Sequence, residues 1–126
     1  MRAVDTNVLV RLIARDDVKQ AELADAFIAK GAWVSHLVLV ETAWVLDRVY
    51  GLSAPMIAQV IEMLLHHKSL SVQDADAVSA ALGHFRSRPT LGFSDCLVLE
   101  VACKAGHLPL GTFDRRLSKL ANVERL

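Results

Sequence analysis

Ala3-Val4-Asp5-Thr6-Asn7-Val8-Leu9-Val10 decides how the rest of this chain is read. Asp5 interrupts an apolar run, and Thr6 and Asn7 follow it directly. The run is too short and too broken for a secretion signal, and no small-residue cleavage site follows. It reads as a short buried strand that ends at Asp5 and turns straight into a helix. Val8, Leu9, Leu12 and Ile13 recur at helical spacing, with Arg11 and Arg15 elsewhere on that helix. Asp5 then stands at the carboxyl end of a strand, where open α/β sheets keep their ligand sites. Taken alone, Asp5 or Thr6 would be a helix cap. The acids further along change that reading.

The bulk numbers set the frame. A chain of 126 residues is expected to form a single domain, 1–126, burying roughly two-thirds of its unfolded surface. Apolar residues make up 53% and aromatics 6%, so the core should be aliphatic. That apolar share is high enough to suggest a subunit interface. No apolar window is long enough to cross a membrane. Fourteen basic and 14 acidic residues cancel, which announces no nucleic-acid binder. Carboxylates gathered in a metal site would still leave the remaining surface basic. Cys96 and Cys103 lie two turns apart on one expected helix, too far to bridge each other. They read as buried or semi-buried thiols in a reducing cytoplasm. The five histidines show no ligand spacing.

Along the chain, helical patterns alternate with short apolar runs. Asp16-Asp17 opens a helix with Leu23, Ala24, Phe27 and Ile28 on its apolar face, stopped by Gly31. Ala32–Ser35 is a strand, and Leu37–Tyr50 a strongly apolar helix. Ser53 and Pro55 start another, striped by Ile57, Val60, Ile61, Leu64 and Leu65. Leu70–Val72 is a strand, and Asp74 caps the next helix, with Val78, Ala81, Leu82 and Phe85. A basic loop, Arg86–Thr90, follows. Phe93–Ala105 is a helix stopped by Gly106, with a Glu100–Lys104 pair along it. Leu108–Phe113 is a strand, Asp114 opens a last helix through Leu117 and Leu120, and Val123–Leu126 is an edge strand. The alternation predicts an α/β fold, a three-layer α/β/α sandwich around a central, mostly parallel sheet.

Four acids stand out. The helical neighbours of Glu41 are Leu37, Val38, Trp44 and Val45, so it should face the packed side, where an unpaired carboxylate is costly. Asp95 repeats the pattern among Leu91, Gly92, Val98 and Leu99. Asp114 follows a strand, as Asp5 does. Two acids at strand ends and two on apolar helix faces can converge at one sheet edge. Carboxylates that close repel one another unless a divalent cation sits among them. Oxygen donors without a thiolate or imidazole cluster select Mg²⁺ or Mn²⁺.

The chain resembles the PIN-domain proteins, and more narrowly the VapC-type toxins of bacterial toxin–antitoxin pairs. The matching stretches are Val4 to Val10, Ser35 to Leu46, Tyr50-Gly51-Leu52-Ser53, Phe93-Ser94-Asp95-Cys96-Leu97, and Gly111 to Leu117. They run in family order and cover essentially the whole chain. The resemblance implies a Mg²⁺- or Mn²⁺-dependent endoribonuclease with its acidic quartet on Asp5, Glu41, Asp95 and Asp114. Asn7 and Thr112 would orient ligands or water. Arg115 and Arg116 would stabilise the scissile phosphate, and RNA would pass basic residues such as Arg11, Arg15, Arg86 and Arg88. Many relatives carry an aspartate where this chain has Gly92, so an auxiliary ligand is missing. A homodimer is expected, together with a small VapB-like antitoxin that inserts a basic side chain among the acids. The rival expectations are a catalytically silent module of the same fold and a receiver-type phosphoacceptor domain. The latter would want adjacent acids after its first strand, where Asp5 stands alone.

Overall fold

Strand β1 (Arg2–Ala3) and helix α1 (Thr6–Ala14) are separated by only two residues, Val4 and Asp5. The tight junction is held from both sides. The amide of Val4 donates to the carbonyl of Trp33 at 3.1 Å, prolonging the ladder. Asp5 then caps the helix through Oδ1, which accepts from the Val8 amide at 3.1 Å. The computed structural model describes residues 1–126. The chain packs as two compact units, Met1–Ala75 and Asp76–Leu126.

In the first unit, α1 is followed by α2 (Val18–Ile28), β2 (Ala32–Val34), α3 (His36–Arg48), α4 (Ala54–His66) and β3 (Leu70–Val72). The strands pair in the order β1-β2-β3, all parallel, with Arg2 opposite Ala32 and Ala32 opposite Leu70. Parallel pairing requires a crossover between neighbours, and helices supply it. α1 packs on α2 and α3, and α4 on α3 and β3. Leu9, Val34, Leu39, Leu46, Ile61 and Leu64 are essentially sealed from solvent. The carboxyl ends of the strands deliver Asp5, Ser35 and Gln73 to one edge. There Ser35 caps α3, and Gln73 binds His36 twice, through its side chain to the backbone amide and through its carbonyl to the ring.

The second unit holds α5 (Ala75–Ser87, beginning one residue before the boundary), α6 (Phe93–Ala105), β4 (Leu110–Thr112) and β5 (Val123–Arg125). β4 and β5 are again parallel. Side chains clamp α5 to α6. Phe85 meets the edge of Phe93, His84 meets Glu100 at 2.6 Å, and Lys104 meets Asp76 at 2.7 Å. Gly106 ends α6 at φ 83°, a conformation that favours glycine.

The α/β class and the parallel strands are as expected, with the strands divided between a sheet of three and a sheet of two. No helix is long and apolar enough to cross a membrane. Three local expectations fail. Leu23, placed on the apolar face of α2, is exposed, and the small residues Ala21 and Ala24 with Ile28 are buried instead. α5 runs through Ser87, so the basic loop starts two residues later than expected. After Asp114 there is only one 3-10 turn, Leu117–Lys119, because Leu120 is already extended.

Candidate active site

In the first unit, Asp5 plays the capping role and is also exposed, leaving Oδ2 without a protein partner. The two readings of this residue are therefore compatible. The cap uses Oδ1 alone. Asp5→Ala should cost about 1 kcal/mol through the lost cap, whereas Asp5→Asn should keep it, since asparagine caps equally well. Urea denaturation of the two variants measures the difference.

Glu41 corrects an expectation. It is exposed on α3, not packed. Its neighbours Leu37 and Trp44 are themselves 83% and 58% exposed. The buried face of α3 is Leu39, Thr42, Ala43 and Leu46, so the apolar residues wrap further round this helix than its core contact does. Glu41 thus stands among solvent-facing apolar side chains. Asn7 is likewise exposed, at the start of α1.

The second unit brings Asp95 and Asp114 within electrostatic reach of each other. Asp95, in the first turn of α6, is half-buried. Burial raises its pKa, the Asp114 carboxylate raises it further, and Arg116 opposes both. Asp114 moves the other way. Its Oδ1 accepts from the amides of Leu117 at 3.1 Å and Arg116 at 2.7 Å, and these bonds hold its pKa below the usual range. The hydroxyl of Thr112 accepts from the Asp114 amide at 3.0 Å and fixes the turn. Thr112 therefore acts on Asp114 through the backbone. A Cβ added at Gly92 would lie 3.9 Å from Asp95 Oδ2. A side chain at position 92 would thus start beside the Asp95 carboxylate.

The arginines divide. Arg116 anchors near the acids and donates to the Thr90 carbonyl at 3.4 Å, while Arg115 is exposed. Arg11 is committed to Asp16, Gln20 and Tyr50, and Arg15 holds Asp25 at 3.0 and 2.7 Å. Both have partners that a linear reading did not supply.

The acids suit a hard divalent cation. They offer only oxygen donors, and in Asp95 and Asp114 two like charges are held near each other. Neither unit by itself gathers three His, Cys, Asp or Glu side chains into a ready-made ion site. Burial of Asp95, with the Asp114 charge beside it, has a measurable sign. A raised carboxyl pKa means that stability is full below the unfolded value, near 3.8, and is lost as pH rises through the folded value. At neutral pH the ionised Asp95 therefore destabilises the metal-free protein. Asp95→Asn should melt higher in EDTA, by about 1–3 °C, with the gain vanishing toward pH 4 and below. A variant that melts lower at neutral pH would contradict this placement.

The PIN domain profile matches residues 2–123, spanning both units. The chain belongs to the PIN domain family. That family consists typically of metal-dependent nucleases. Comparison with curated proteins gave no significant match.

Proposed function

We propose that this PIN domain is a metal-dependent endoribonuclease of the VapC toxin type, restrained by a small VapB-like antitoxin and working as a homodimer. The observation that carries the proposal is the Asp95–Asp114 pair: a half-buried carboxyl whose ionisation is opposed by burial and by the Asp114 carboxylate, in a chain of a family typically of nucleases. Asp5, Glu41, Asp95 and Asp114 together would hold Mg²⁺ or Mn²⁺, as hard oxygen donors do. When bound, such an ion supplies Lewis acidity and a water of lowered pKa.

The protein's own share follows from its geometry. Asp114 stays anionic because two backbone amides pin one oxygen, leaving the other for a ligand. Asp95 is the acid whose charge is hardest to sustain without a cation, so it gains most from one. Thr112 keeps the Asp114 turn rigid. Arg116 brings a positive charge to the same turn, where it can stabilise a phosphate in the transition state. The exposed apolar side chains Leu37 and Trp44 around Glu41 suit a covering partner.

Incubation of total cellular RNA with the purified protein and Mg²⁺, Mn²⁺ or EDTA, followed by end mapping, tests the proposal. Discrete metal-dependent ends are expected. RNA left intact in Mg²⁺ and Mn²⁺ would favour the silent-module alternative. Family membership already removes the receiver-type reading.

A further inference from the structure

One concave feature of the second unit adjoins the acidic site, with Arg116 common to both. A cleft of about 280 Å³ is lined by Arg88, Arg116 and Lys119, with hydroxyls from Ser87 and Thr90 and the buried Leu91. No acid lines it. None of its three cations is in an ion pair, whereas Arg11, Arg15 and Lys104 each hold a carboxylate. Arg116 also feels the Asp95 and Asp114 carboxylates. Arg88 and Lys119 have no carboxylate partner, and positive charge on a concave surface without an acid in its lining favours a bound anion.

The walls are built in advance. The Arg88 amide donates to His84 and the Leu91 amide to Arg88, closing a tight turn around Pro89, whose φ is fixed by its ring. The Phe85–Phe93 contact, 6.0 Å between centroids, pins the two helices that the turn connects. Arg116 then ties the opposite wall to this turn through Thr90. The same residue donates its backbone amide to Asp114 Oδ1 at 2.7 Å. The cleft and the acid thus share one short segment of chain.

We infer that this cleft is a phosphate subsite for the RNA strand, in which Arg88 and Lys119 hold a backbone phosphate adjoining the one that is cut, with Arg116 standing between the two phosphates. The inference rests on the nuclease reading above. Guanidinium forks match the oxygens of a phosphate in pairs, and an ammonium adds a point charge. The hydroxyls of Ser87 and Thr90 complete the donors.

The test reads binding separately from chemistry. Anisotropy of a short fluorescein-labelled single-stranded oligoribonucleotide is measured in EDTA across a salt series. Removing two phosphate contacts with Arg88→Ala/Lys119→Ala should weaken binding about tenfold and flatten the log K against log salt slope by about 1.4. The charge-conserving pair Arg88→Lys/Lys119→Arg should restore most of the slope, which also shows that the fold is intact. Lys30→Ala/Lys68→Ala, in the first unit, should change the affinity less than twofold. An unchanged slope in the cleft variant would overturn the subsite. So would equal losses in both alanine pairs, or a wild type that binds no RNA in EDTA. Wild-type protein that binds through the cleft yet never cleaves in Mg²⁺ would sink the nuclease reading and leave the subsite standing.

Discussion

Asp95→Asn should fold, melt at least as high as the wild type without metal, and lose RNA cleavage by about 10²–10³-fold or more. The loss should fall on kcat, because the side chain acts on the reacting centre and not on the length of bound RNA. Asp5→Asn and Glu41→Gln should behave alike. Asp114→Asn should hurt less if its free oxygen acts through a water. The diagnostic feature is the combination of gained stability and lost activity. A residue kept for repulsive chemistry shows both, while one member of a structural ion pair shows only a loss of stability. Mg²⁺ should raise the wild-type melting temperature by mass action, and that of Asp95→Asn much less. Full cleavage by Asp95→Asn, with metal dependence intact, would end the quartet assignment.

A second large effect is expected at the thiols. Cys103 is exposed, whereas Cys96 is fully buried beside Asp95. Burial, with the Asp95 and Glu100 carboxylates adding to it, pushes the Cys96 thiol from 9.0 up to about 11. Two pKa units remove about 99% of the reactive thiolate at a given pH, before any steric shielding. Iodoacetamide should therefore modify one cysteine per folded chain, with Cys96 at least about 100-fold slower. Both should react in urea. Equal rates in the native protein would mean that α6 opens readily.

Much of this was legible along the chain, for reasons particular residues make clear. The strand-to-helix turn at Asp5 was visible because an acid there interrupts a run that otherwise changes from strand to helical spacing. α6 was bounded correctly because Gly106 takes a backbone conformation few residues share. Glu41 was singled out for a wrong physical reason. Apolar neighbours at helical spacing suggest burial, but spacing cannot say which part of an apolar surface meets the core, and Leu37 and Trp44 face solvent. Arg11 and Arg15 looked available because their partners, Tyr50 and Asp25 among them, are brought near only by packing. Lys119 drew no notice for the opposite reason. It is a commonplace surface lysine until the 3-10 turn brings it to the same cleft as Arg88.

The division into two units has a spectroscopic consequence. Both tryptophans, Trp33 and Trp44, and the single tyrosine, Tyr50, fall within Met1–Ala75. To a fluorimeter exciting indole and phenol, Asp76–Leu126 is dark. A melt followed by emission therefore reports the first unit alone, and Trp44, exposed one turn beyond Glu41, colours that signal with whatever docks there. Cys96 supplies the missing channel, since its alkylation reads the second unit. Coincident midpoints from the two probes would mark one cooperative transition, and separated midpoints would mean that the second unit melts unseen.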